Sequence, residues 1–141
     1  MGVFIAIDFG KKHTGLAHTD SFKIIASGLT TLETQKVIPF LSDYQKEIEI
    51  DKFVVGQPKQ RDGNVSEVEK EILLFVIQLQ KAFPNILIAR QDERFTSKMA
   101  FKSLIETGAK KKTRKNKAVL DEISATLILR SFLESNSKPI L

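Results

Sequence analysis

Three acidic residues stand where predicted elements end or begin. Asp8 and Glu93 each follow an apolar run, and Asp121 lies in the first turn of the last predicted helix. In mixed α/β sheets, sites form where central strands end, so these carboxylates could converge. Clustered carboxylates repel one another unless a cation neutralises them, and Mg²⁺ and Mn²⁺ prefer oxygen ligands. One or two such ions can promote phosphodiester cleavage. We therefore predict a catalytic metal site at Asp8, Glu93 and Asp121.

Each acid also has a structural explanation when it is taken alone. Asp8 could cap the turn before Gly10, and Glu93 could pair with Arg94 on the surface. Asp121 suits the positive end of a helix dipole. Histidine and cysteine offer no competing cluster, because the chain has two histidines and no cysteine. We interpret both histidines as hairpin side chains.

Basic residues could form a phosphate-binding rim around such a site. Six cations occur in the run KKKTRKNK at 110–117, just before the helix that carries Asp121. Such a run can be a solvated loop, but beside a phosphodiester site it would bind nucleic acid in a strongly salt-dependent way. The candidate nucleic-acid contacts are Lys11, Lys12, Lys59, Arg61, Lys110, Lys111, Lys112, Arg114, Lys115 and Lys117.

The elements that must position these residues follow from the apolar patterns. Three strands at about 3–7, 14–19 and 23–31 predict an antiparallel meander. The later elements alternate between helix and strand. They are a helix at about 35–46, for which an interior Pro39 favours a later start, a strand within 51–56, a helix from Val68 to Phe83, a strand at 86–89, a helix from 96 or 97 to 107, and a helix at about 118–133. Ser66 and Glu69 match a capping box. This order predicts an α/β fold with a mixed five-stranded sheet and helices on both faces.

The composition is that of an ordinary globular domain. A length of 141 residues fits one domain, 1–141, and the absence of cysteine excludes disulfides and thiolate zinc sites. The net charge of +5 mildly favours polyanionic partners. The sequence has no membrane span and no signal peptide, so we expect a cytoplasmic protein without a membrane partner.

Four segments carry a family resemblance that covers essentially the whole chain. They read AIDFGKKHTGLAHTD (6–20), VVGQPKQRDG (54–63), DERFTS (92–97) and LDEISATLIL (120–129). In this order and spacing, the chain resembles the YqgF family, also called RuvX, which is related to the RuvC resolvases. The resemblance implies an RNase H-like fold, with Asp8, Glu93 and Asp121 at the catalytic metal-binding positions.

The resemblance also implies the reaction and leaves its substrate open. The family attribution favours processing of the 5′ end of pre-16S rRNA in ribosome biogenesis, with resolution of Holliday junctions as the alternative. A resolvase cuts symmetrically and should be a homodimer, whereas an RNA-processing enzyme could be a monomer. Two other classes remain. The segment DFGKKHTG (8–15) also matches an actin-like ATPase phosphate loop, and the chain could be a non-catalytic nucleic-acid-binding module.

Overall fold

Five strands form one mixed sheet in the computed structural model, which describes residues 2–58, 67–92 and 117–137. The strands are β1 (Val3–Asp8), β2 (His13–Thr19), β3 (Ala26–Glu33), β4 (Ile50–Gln57) and β5 (Leu87–Asp92). Their spatial order is β3-β2-β1-β4-β5. The first three strands pair antiparallel, while β4 runs parallel to both β1 and β5. The predicted meander followed by parallel strands is confirmed.

Three described helices cover the two faces of this sheet. They are α1 (Val37–Gln45), which follows a 3₁₀ turn at Thr34–Lys36, α2 (Glu69–Ala82) and α3 (Lys117–Ser137). Helices α1 and α2 pack on the face that carries the large core residues, including Ile5, Ile7 and Phe53. Helix α3 packs on the opposite face, called here the α3 face. The prediction of helices on both faces is therefore confirmed.

Two element boundaries differ from the sequence prediction for local reasons. Strand β3 begins at Ala26 rather than at Lys23, because the Asp20 carboxylate accepts the N–H groups of Ile24 and Ile25 at 2.8 and 2.9 Å. Lys23 has a φ of 60° in this turn, which is incompatible with a strand. Helix α1 begins at Val37, so Pro39 lies in the first turn, where backbone N–H groups have no partner within the helix.

The capping-box prediction for α2 is wrong. Helix α2 begins at Glu69 with Val68 at the N-cap position, and among the described residues before the helix no side chain caps it by a hydrogen bond. The Glu69 carboxylate binds Arg90 instead. Ser66 and the helix predicted from 96 or 97 to 107 lie outside the described residues. None of the described helices is long and apolar enough to cross a membrane.

Candidate active site

Side-chain alternation along β1 directs Asp8 to the α3 face. Ile5 and Ile7 belong to the core under α1 and α2, whereas Ala6 belongs to the core under α3. Residues two apart in a strand share a face, so Asp8 lies on the same side as Ala6. Asp8 is the last residue of β1 and is half-buried. Its carboxylate therefore lies at the end of a central strand, beside the start of α3.

Gly15 brings the backbone of Asp121 close to Asp8. Gly15 is the register partner of Asp8 on β2. A Cβ on Gly15 would collide with the Asp121 carbonyl oxygen and lie 2.5 Å from its carbonyl carbon. The first turns of α3 therefore rest directly on the glycine opposite Asp8. Two of the three predicted acids are neighbours of one glycine, although they are more than a hundred residues apart in the chain.

The third acid, Glu93, lies outside the described residues. The residue before it, Asp92, ends β5 and pairs with Gln57 at the end of β4. Because β1, β4 and β5 are mutually parallel, Asp92 lies at the same end of the sheet as Asp8. Within the described ranges, no group of three His, Cys, Asp or Glu residues could hold a metal ion. The metal role of Asp8, Glu93 and Asp121 stays a prediction.

A buried ion pair holds this end of the sheet together from the other face. Arg90 of β5 donates to both carboxylate oxygens of Glu69, at 2.9 and 2.6 Å, and to the Gly56 carbonyl at 3.0 Å. It also donates to the Val55 carbonyl at 3.2 Å. Gln57 donates to the Glu69 carboxylate at 3.0 Å. This cluster ties the ends of β4 and β5 to the start of α2. The sequence did not predict this cluster, although an arginine at the end of a short apolar strand was a signal.

Hydrogen bonds hold the turn between β1 and β2 against the end of β3. The Thr34 hydroxyl donates to the Gly10 carbonyl at 2.5 Å and lies 2.8 Å from the Thr14 hydroxyl. The Thr34 N–H donates to the Lys12 carbonyl at 2.9 Å. A Cβ on Gly10 would collide with the His13 carbonyl oxygen, so the turn depends on glycine there. The hydrogen bonds of Thr34 with Gly10, Thr14 and Lys12 therefore fix the turn next to Asp8.

Few of the predicted phosphate contacts fall within the described residues. Lys11 and Lys12 are exposed on the turn after Asp8, and the Lys11 ammonium lies 3.4 Å from the Glu71 carboxylate. Lys117 begins α3, but its side chain is outside the description. The predicted contacts that lie wholly outside the described residues are Lys59, Arg61, Lys110, Lys111, Lys112, Arg114 and Lys115. Their nucleic-acid role stays a prediction.

The two histidines have different surroundings. The His18 Nδ1 lies 3.0 Å from the Tyr44 hydroxyl, and partial burial lowers the pKa of His18 below its ordinary value. This contact on the α1 side agrees with a structural role for His18. His13 is exposed and lies at the start of β2, beside the turn that follows Asp8.

Comparison with solved structures identifies the fold class. Fowlpox virus resolvase, solved with Holliday junction DNA, has a TM-score of 0.57 at 15% identity and covers 96% of this chain and 99% of its own. T. thermophilus RuvC, solved with a Holliday junction substrate, has a TM-score of 0.55 at 15% identity, with 99% and 100% covered. At such low identity the likeness shows the fold alone. The fold is RNase H-like, as the sequence resemblance implied.

Sequence comparison identifies the family. Residues 2–135 match the RuvX family, described as "Holliday junction resolvase". A protein of Flavobacterium psychrophilum is 50% identical over 92% of this chain and 94% of its own length. A protein of Bacteroides fragilis is 46% identical, over 96% of this chain and 98% of its own length. Both are named "Putative pre-16S rRNA nuclease". The chain belongs to the RuvX family, and these names support a nuclease.

Proposed function

We propose that this protein is a divalent-metal-dependent nuclease that processes the 5′ end of pre-16S rRNA. In this proposal, residues 1–141 form one catalytic domain. The observation that carries it is the contact of α3 with Gly15, which gathers Asp8 and Asp121 at one strand end. The names of the relatives support the RNA substrate. Processing of ribosomal RNA would place the protein in the cytoplasm.

The residues present fit a hard divalent cation. The candidate ligands are carboxylates, and the described part of the α3 face brings no histidine or cysteine cluster beside them. In this proposal Asp8, Glu93 and Asp121 hold one or two Mg²⁺ or Mn²⁺ ions. Such ions, when bound, activate a water and stabilise the leaving oxygen of the phosphodiester.

The remaining residues position the substrate and the ligands. Lys11 and Lys12 extend from the fixed turn next to Asp8 and can bind phosphate oxygens. Arg90 and Glu69 hold the end of β5, which the chain leaves immediately before Glu93. Neither of these two residues needs to touch the substrate in this mechanism.

Removing the Asp8 charge tests the proposal. We expect Asp8→Asn to lower Mn²⁺-dependent cleavage of a pre-16S rRNA fragment by more than about a hundredfold. Mutation of a residue that only hydrogen-bonds to a metal ligand already lowers activity or metal affinity by roughly 10–100-fold, and loss of a ligand should cost more. Asp43→Asn is the matched control, since Asp43 is an exposed residue of α1. Mn²⁺ should also raise the melting temperature of the parent protein but not that of Asp8→Asn. Cleavage that persists in Asp8→Asn or in excess EDTA would contradict the mechanism.

Resolution of Holliday junctions is the second candidate, supported by the description of the family. The same assay should therefore include a four-way DNA junction, duplex DNA and single-stranded RNA. Paired symmetric cuts in the junction, together with a dimer in solution, would favour a resolvase. Selective cleavage of the rRNA precursor would favour the RNA role. Stabilisation by ATP without nuclease activity would instead favour the actin-like alternative.

A further inference from the structure

A surface cavity of about 370 Å³ lies at the turn between β1 and β2. Its lining residues come from that turn, from the start of β2 and from the end of β3. They are Lys11, Lys12, His13, Glu33 and Gln35. We infer that this cavity binds one nucleotide of the substrate strand, next to the cleaved phosphodiester. This inference rests on the proposed function, and it assigns a role to three residues that the sequence analysis did not consider as contacts.

The sheet register places the cavity beside the candidate metal site. Asp8 pairs with Gly15, and Gly15 pairs with Thr31. His13, two residues before Gly15 on β2, pairs with Glu33, two residues after Thr31 on β3. Because residues two apart share a face, His13 and Glu33 lie on the α3 face, as Asp8 does. The two residues from Gly15 to His13 span about 7 Å along β2. This distance is close to the length of one nucleotide in an extended nucleic-acid strand.

The lining chemistry suits a nucleotide rather than a bare anion. The Lys12 ammonium makes no ion pair with any described residue, whereas the Lys11 ammonium forms an exposed ion pair with Glu71, in which the Lys11 side chain is 72% exposed. Both can bind phosphate. Glu33 repels phosphate, but its carboxylate can accept a hydrogen bond from a ribose hydroxyl or a base amino group. Gln35 donates to Glu33 at 3.2 Å, and its amide can also donate to a ribose hydroxyl or to a carbonyl oxygen of a base.

His13 also lines the cavity, and its ring can provide a surface on which a base stacks. Stacking of a base on an aromatic side chain tolerates any sequence, because every base has a π face. The bonded turn described above keeps the cavity formed without substrate. A preformed site loses less conformational entropy on binding, so a small cavity can contribute measurably to affinity.

Binding measurements with cleavage suppressed test this inference. The probe is a short labelled RNA that spans the 5′ end of 16S rRNA and its precursor segment, in buffer with Ca²⁺. We expect Lys12→Ala to reduce the slope of log affinity against log salt by about one phosphate contact. His13→Ala should weaken binding by about tenfold through lost stacking. Lys81→Ala is the matched control, since Lys81 is an exposed lysine at the far end of α2.

A scan of the RNA then locates the bound nucleotide. Single abasic and single 2′-deoxy substitutions are placed at each position near the cleavage point. We expect one position at which the abasic change weakens binding to the parent protein but has no further effect on His13→Ala. If a 2′-deoxy substitution weakens binding to the parent protein but not to Gln35→Ala, Glu33 and Gln35 contact the ribose hydroxyl. If the affinity instead depends on which base stands at that position, and this dependence disappears in Gln35→Ala, they contact the base.

The outcomes separate this inference from the proposed function. If His13→Ala, Gln35→Ala and Lys12→Ala bind like the parent protein, or show the same abasic profile, the nucleotide subsite is wrong. If the parent protein binds RNA through the cavity but cleaves none of the substrates, the proposed function fails and the subsite stands. If the parent protein binds no nucleic acid, both are wrong.

Discussion

Gly15→Ala should impair catalysis much more than folding, because the added methyl group has no room against α3. The new Cβ would lie 2.5 Å from the Asp121 carbonyl carbon, whereas ordinary contact begins at 3.4 Å. The obstructing atoms belong to the helix backbone, so no side-chain rotation can relieve the contact. The start of α3 must therefore move by roughly 1 Å away from β2.

Two magnitudes follow from that displacement. Overpacking of this kind costs about 1–3 kcal/mol, and the smaller conformational freedom of alanine in the unfolded chain offsets roughly 0.4–1 kcal/mol. The melting temperature should fall by only a few degrees, at about 2–4 °C per kcal/mol. A catalytic group displaced by 1 Å can cost about a hundredfold in rate. Mn²⁺-dependent cleavage under saturating substrate and thermal melts measure the two effects separately.

Gly28→Ala is the matched control for Gly15→Ala. Its Cβ would also collide with α3, but with the side chain of Glu122, whose Cγ and Cδ would lie 2.8 and 2.9 Å away. A flexible side chain can rotate, so activity should remain within a few-fold of the parent. Adding Glu122→Ala should restore any lost stability. Full activity in Gly15→Ala, or an equal loss in Gly28→Ala, would refute the argument that Gly15 positions Asp121.

Two further predictions concern stability. Glu69→Gln should lower the free energy of unfolding by about 3 kcal/mol in urea melts, because it leaves the Arg90 charge without its buried carboxylate; this is the lower end of the range for a buried pair, since Arg90 is partly exposed. Lys46→Gln should cost less than about 1 kcal/mol, because it breaks only an exposed ion pair. Equal losses would contradict the role of burial. His18 has a lowered pKa in the folded protein, so the unfolded chain binds the proton more readily and stability should fall as the pH drops below 6.5. His18→Gln, which keeps a polar partner for Tyr44, should flatten this acid-side decline in melting temperature, and an unchanged slope would contradict the assignment.

The apolar patterns predicted the elements, but not the contacts that assemble the site. The run from Val3 to Ile7 predicted a strand that ends at Asp8, and the structure places this strand at the centre of the sheet. The contact of Gly15 with Asp121 could not be predicted, since it depends on how closely a helix lies on the sheet. Glu69 was misassigned because its spacing from Ser66 matches a capping box, while its actual partner comes from β5.

Three of the five cavity residues, His13, Glu33 and Gln35, were not predicted as contacts for a similar reason. Glu33 and Gln35 lie in a polar stretch between a strand and a helix, where such residues are ordinary. Only the pairing of His13 with Glu33 places them beside Asp8. Residues far apart in the chain become neighbours through strand register, and register depends on the turns at both ends of a hairpin.

The core residues on the two faces of the sheet differ in size, and the candidate site lies on the face with the smaller strand residues. The face under α1 and α2 holds large side chains such as Ile5, Ile7 and Phe53, which supply most of the buried apolar volume. The α3 face instead carries the small residues Ala6 and Ala17, which let a helix backbone lie close to the strands. Close approach is what the candidate site requires, because Asp121 reaches Asp8 only if α3 rests on β2. The small core residues on this face are therefore a condition for the proposed metal site.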